Sequence, residues 1–290
     1  MDADSGVGVV RRGGVSFRYV REGTGPPIVV IGSSTYYPRA FSSSLRERFE
    51  LIFVDSRHFI PSYQPTDEEL QNVTLETFAD DVEALRDHLA IERWTVLGHS
   101  VHAQLALAYA KKYPDRTSRL ILIAGVPYSF AELGQVQDRF WADHASEERK
   151  KQHEANRHAI GSALSTAPES RYFAVNYIGD AAKWWADPTY DSMPLWEGVE
   201  TGPAFGRLFQ LIPARTEMRG ILESIQVPTL LILGKLDYGV PHATWEELIG
   251  ELPSWSYVLL PADSHNPQTE APERFDRELV RWMSDLSNGV

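Results

Sequence analysis

Seven short runs of β-branched and aliphatic residues constrain this chain most. They are VSFRYV (15–20), PIVVIG (27–32), ELIFVD (50–55), RWTVLG (93–98), RLILIAG (119–125), PTLLILG (228–234) and SYVLLPA (256–262). Several are apolar at nearly every position, as strands buried on both faces of a parallel sheet are. Helical patterns lie between them. From Leu75 to Leu89, Phe78, Val82, Leu85 and Leu89 recur at spacings of three or four. Val101 to Tyr113 and Phe275 to Leu286 follow the same rule. Strand–helix alternation predicts right-handed βαβ units in a doubly wound, mostly parallel sheet. The first strands are more polar and joined by Gly13-Gly14, which predicts an antiparallel hairpin at the sheet edge.

This alternation fills residues 1–127 and 216–290, which are read as one α/β core. Residues 128–215 differ: they hold few strand-like runs, a charged stretch ASEERKKQHEANRH, and Trp141, Trp184, Trp185 and Trp196. They are expected to form a helical cap inserted on the sheet. Loops beyond the carboxyl ends of parallel strands are where ligands bind, so an insertion starting there is placed to cover a site.

Residues 96–114, VLGHSVHAQLALAYAKKYP, join a buried strand to a helix through Gly98-His99-Ser100. Such a turn raises the serine hydroxyl off the backbone and brings the amide of Val101 beside it. The helix start adds a positive potential suited to a developing oxyanion. Two partners follow in order. Asp237 comes just past the strand PTLLILG, and His265 just past SYVLLPA. Serine alone is a weak nucleophile. An imidazole can take its proton, and a buried carboxylate can orient that imidazole.

With serine, acid and histidine in that chain order, the sequence resembles the α/β-hydrolase superfamily. Within it, the chain looks most like the branch of proline iminopeptidase-like and other small-molecule serine hydrolases. The resemblance spans essentially the whole chain and rests on PPIVVIG, FVDSRH, LGHS, LILGKLDYGVP and SHNPQTEAPERF. It implies a sheet of about eight strands with a helical cap, and Ser100, Asp237 and His265 as catalytic triad. Position matching implies an oxyanion hole from the amides of Val101 and Ser33, with Ser34 as the neighbouring alternative. Three departures are visible. Ile31-Gly32-Ser33-Ser34-Thr35 replaces the usual H-G-G or H-G-x-P. His58-Phe59-Ile60 follows Asp55-Ser56-Arg57 where glycines are common. His102 replaces the second glycine of G-x-S-x-G.

The expected function is hydrolysis of a carboxylic ester, thioester or lactone through an acyl-enzyme. The alternatives are a proline iminopeptidase-like aminopeptidase, with a cap acid such as Glu154 or Glu217 holding the substrate amine, a C–C hydrolase on the same triad, and a catalytically silent ligand-binding protein. A serine at position 100 disfavours dehalogenase and epoxide hydrolase chemistry, which need a carboxylate there. Ser34, His102, Tyr128, Trp184 and Trp185 are candidate pocket residues for a bulky or apolar small molecule. His102 is read first as packing beneath the elbow, with a reach into the site as the other option.

The chain has no cysteine, which removes disulfides, thiolate zinc sites and thiol nucleophiles. His153 and His158 stand five residues apart, about 140° around a helix, so they do not share a metal. Gly6 and Gly8 lack the third glycine of a dinucleotide fingerprint. No cofactor or metal is implied. A net charge of −12 opposes binding to nucleic acid. No apolar run reaches the ~18 residues of a membrane span or forms a signal peptide, so a soluble, cytoplasmic protein is expected.

Overall fold

The computed structural model describes residues 6–214, 218–252 and 254–285, with the side chains of 210–214 left aside. The strands are β1 (Gly6–Arg12), β2 (Val15–Glu22), β3 (Pro27–Gly32), β4 (Glu50–Asp55), β5 (Trp94–His99), β6 (Thr117–Ile123), β7 (Thr229–Gly234) and β8 (Trp255–Leu260). They form one sheet in the order β1-β2-β4-β3-β5-β6-β7-β8. β1 pairs with β2 and β2 with β4 in antiparallel fashion; every later pairing is parallel. Both the edge hairpin and the doubly wound sheet expected from the sequence are present.

The apolar runs are strands because the sheet is covered on both faces. In β3, Val29 and Ile31 join one hydrophobic cluster while Ile28 and Val30 join the other, the period of two that a strand imposes. One face is covered by helices α1 (Leu75–His88) and α2 (His102–Lys112). Phe78, Val82 and Leu85 of α1 are buried, and Thr74 and Thr77 cap its start reciprocally. The opposite face receives Phe275, Leu279, Trp282 and Met283 of the C-terminal helix Pro272–Asp285.

Between β6 and β7 the chain leaves the sheet and is helical. Its longer members are α3 (Phe130–His144), α4 (Glu147–Ala159), α5 (Tyr172–Gly179) and α6 (Phe205–Ala214). Residues 215–217, where the sequence reading closed the cap, lie outside the described residues, and Glu217 with them. The amide of Gln104 in α2 fastens the start of this segment by donating to the carbonyls of Val126 and Tyr128, both at 3.1 Å. No helix among the described residues is long and apolar enough to cross a membrane.

Candidate active site

The sharp turn after β5 carries the most constrained backbone of the site. Ser100 has φ +58°, a left-handed conformation that costs a non-glycine residue about 1–2 kcal/mol. Its amide donates to Ile123 on the neighbouring strand at 2.8 Å, and its carbonyl accepts from Ala103 at 3.1 Å. Gly98 is required by close approach: a Cβ there would collide with the His102 carbonyl and lie 2.7 Å from the Ala103 Cα. Helix α2 therefore starts hard against β5, with Ser100 at the apex between them.

Asp237 follows β7 and is 1% exposed. Its Oδ1 accepts from the amides of Gly239 at 2.8 Å and Val240 at 2.7 Å, while Oδ2 lies 2.7 Å from His265 Nδ1. A carboxylate so held can orient one imidazole nitrogen and leave the other, Nε2, as the basic atom. His265 is also 1% exposed, and Ser100 and His265 border the same two cavities. The structure thus gathers all three residues that the chain order had paired.

The first cavity, about 50 Å³, is walled by aromatic rings, among them Tyr36, Tyr37, Phe59 and Trp196. Ser33, Val101 and His102 border it beside Ser100. The second, about 160 Å³, lies under the cap against Phe130, Leu133, Trp184 and Val240. Asn176 and Asp180 of the cap are its polar wall. Asp180 Oδ1 accepts from His153 Nε2 at 2.9 Å and lies 3.6 Å from the Arg157 guanidinium.

Of the two oxyanion alternatives in the loop after β3, Ser34 is committed elsewhere. Its amide donates to Asp55 Oδ1 at 2.6 Å, and its hydroxyl and carbonyl accept from Arg18 at 2.6 and 2.9 Å. Burial pushes the Asp55 carboxyl up to about 6, against the opposing pull of the Ser34 hydrogen bonds and Arg18. Ser34 borders neither of the two cavities, and Ser33 is the loop residue at the first. The Ser33 hydroxyl faces its own turn, accepting from the amides of Thr35 at 3.3 Å and Tyr36 at 3.2 Å.

Two further candidates also lie away from both cavities. Trp185 is fully buried in the hydrophobic cluster on one side of the sheet and stacks on Tyr190 at 4.1 Å, away from both cavities. Tyr128 is partly buried against a core cluster and borders neither cavity. Trp184 does reach the site. Its ring lies 4.8 Å from that of His265 and stacks on Tyr177 at 5.4 Å. Gly239 makes room for it, since a Cβ there would strike the indole. His102 points into the gap beside Gly32, where it borders the first cavity and meets the Tyr37 hydroxyl at 3.1 Å and His58 Nε2 at 2.9 Å.

Sequence reading missed Tyr36, Tyr37, Phe173, Tyr177 and Asp180, which line the cavities without any spacing that marks them. Glu154, the cap acid it singled out, is exposed and borders neither cavity. Among the described residues no cluster of three or more histidines and acids is arranged to hold a metal.

Residues 30–272 match the family model for the alpha/beta hydrolase fold. The chain is 32% identical over 278 residues to the AB hydrolase superfamily protein YclE of Bacillus subtilis (strain 168), covering 95% of this chain and 98% of that one. It is 27% identical to the proline iminopeptidase of Elizabethkingia meningoseptica, over 92% of this chain and 93% of that protein. Among solved structures, an alpha/beta fold family hydrolase from Bacillus anthracis str. Sterne superposes with a TM-score of 0.70 at 18% identity, over 96% of this chain and 99% of that chain. Fold, strand order, elbow and sequence similarity agree, and the chain belongs to the α/β-hydrolase superfamily.

Proposed function

We propose that the protein is a serine hydrolase that cleaves a small carboxylic ester, thioester or lactone through an acyl-enzyme. The observation that carries this is the buried Asp237–His265 pair, 2.7 Å apart, bordering the cavities into which the strained Ser100 turn projects. His265 Nε2 takes the Ser100 proton as Oγ adds to the substrate carbonyl carbon. The amides of Ser33 and Val101 receive the resulting oxyanion. Collapse expels the leaving alkoxide or thiolate, which takes the proton from His265. A water then repeats the sequence on the acyl-serine, releasing the acid and free Ser100.

The two cavities suggest how a substrate divides. The small aromatic space beside Ser33 suits a compact acyl group, and the larger space under the cap suits a bulky, apolar leaving group. The largely apolar cavities favour a small molecule as the partner, and a net charge of −12 gives no attraction for a nucleic-acid backbone.

Asp180 favours a second reading, aminopeptidase activity, because it places a cap carboxylate on the cavity wall. His153 and Arg157 already occupy that carboxylate, which weakens it as an amine anchor. A fluorophosphonate probe and a panel of aryl esters, lactones and aminoacyl arylamides test both readings. Ester turnover and labelling, each lost in Ser100→Ala, support the first. Preference for free-amine arylamides, lost on N-acylation, would establish the second. Labelling that survives in Ser100→Ala would refute both.

A further inference from the structure

Two of the residues that depart from the family pattern, His58 and His102, meet in the fold. Their rings are parallel within 8° and touch edge to edge, Nε2 to Nε2, at 2.9 Å. The contact continues. His102 Nδ1 lies 3.1 Å from the Tyr37 hydroxyl, that hydroxyl lies 3.2 Å from His99 Nδ1, and His99 Nε2 lies 2.8 Å from the backbone carbonyl of His265. All four side chains are buried. Gly32 leaves them room: a Cβ there would strike the Tyr37 ring and lie 3.2 Å from the His102 ring.

The direction of every bond follows from the two ends. A carbonyl only accepts, so His99 carries its proton on Nε2 and its Nδ1 is bare. Tyr37 then donates to His99 and must accept from His102 Nδ1–H. His102 Nε2 is bare and accepts from His58 Nε2–H. The far end requires the same order independently. Ser56 Oγ donates its one proton to the Gly32 carbonyl at 3.1 Å, so it can only accept from His58 Nε2, also at 3.1 Å; the single His58 Nε2–H is then shared between Ser56 Oγ and His102 Nε2. His58 Nδ1, the bare nitrogen in this scheme, has no partner among the described residues.

The direction holds at neutral pH because every member stays uncharged. Burial pulls His58 and His99 well below the ordinary histidine range, reinforced in each case by a neighbouring histidine. Burial brings His102 to about 4, opposed by the His99 backbone, and pushes Tyr37 up.

We propose that His58, His102, Tyr37 and His99 form one directed hydrogen-bond chain of positioning residues, which ties the loop after β3 and the elbow around Ser100 to the backbone of His265. The tautomers it demands are Nδ1–H on His102 and Nε2–H on His58 and His99. The kinetic consequence rests on the serine-hydrolase reading; the tautomers do not.

Long-range ¹H–¹⁵N correlation on the ¹⁵N-labelled full chain at neutral pH reads the tautomers directly. The expected spectrum has protonated Nδ1 on His102 and protonated Nε2 on His58 and His99. Protonated Nε2 on His102 overturns the proposal, whatever the variants do. His58 borders neither cavity, so it can be changed without touching substrate. His58→Gln keeps a donor toward His102 and should hold kcat within about threefold, with the His102 signal unchanged. His58→Phe removes the donor and should lower kcat about tenfold or more at nearly constant KM. A merely structural role would lower melting temperature in both variants and leave kcat of the folded protein alike. Wild-type kcat and an unchanged His102 signal in His58→Phe also overturn the proposal. Absence of turnover with all three expected tautomers would refute the hydrolase reading and support the chain; turnover with the wrong His102 tautomer would do the reverse.

Discussion

Glu270 offers a sharp test of how the cap is held to the catalytic loop. Its Oε2 accepts from the amide of Ala186 in the cap at 2.9 Å and from Ser264 at 3.2 Å; its Oε1 accepts from Asn266 at 3.0 Å. One carboxylate thus grips both neighbours of His265 and one residue of the cap. Burial raises its pKa from 4.5 to about 7, only partly offset by those three hydrogen bonds, and Asp263 adds to the rise. Between pH 4.5 and 7 the folded protein therefore holds a proton that the unfolded chain has lost. Where the native state binds more protons, stability falls as pH rises. A rise of this size corresponds to at most about 3 kcal/mol, and the partial exposure of Glu270 lowers that further. The contribution is present in full below pH 4.5 and gone above about 7. Urea unfolding at intervals from pH 4.5 to 8 measures it, with Glu270→Gln as the non-titrating control. Groups common to both proteins cancel in the difference. Wild type should lose stability relative to the variant by about 1–3 kcal/mol over that window. A difference that stays flat from pH 4.5 to 8, or that grows in favour of wild type, would refute the reasoning.

Three other outcomes follow from the site. Asp237→Asn should fold and lower kcat on the order of 10⁴-fold, because an amide no longer holds the His265 tautomer; stopped-time ester assays would show it, and a loss below about tenfold would reject the relay. Trp184→Ala should raise KM for bulky aryl esters more than for acetyl esters. Trp185→Ala should instead cost about 3–5 kcal/mol of stability without changing that ratio, and paired kinetics and denaturant titrations separate the two. Gly98→Ala drives a methyl into the backbone of α2, so a destabilisation of about 1–3 kcal/mol and lost fluorophosphonate labelling are expected; wild-type stability and labelling would contradict the close approach.

The sheet and the order of its partners were legible in the sequence because both are local patterns. A run such as VVIG or LLILG must be buried on two faces, and Leu75 to Leu89 repeats at the helical period, so strands and helices announce themselves without any long-range contact. Ser100, Asp237 and His265 each sit just past such a run, where a parallel sheet delivers its loops to one edge. The adjacent tryptophans show where local reading stops. Trp184 lies over His265 and Trp185 stacks on Tyr190, yet nothing in their spacing separates them, because which ring faces the site depends on how the cap settles on the core. The same holds for Ser33 and Ser34, divided only by Asp55 and Arg18 reaching in from other strands. His58 and His102 are 44 residues apart, and no periodicity links them. Their partnership is decided by tertiary packing, which encloses four polar side chains together, and a carbonyl at one end and a hydroxyl at the other then set the direction of the hydrogen bonds running through Tyr37 to His99.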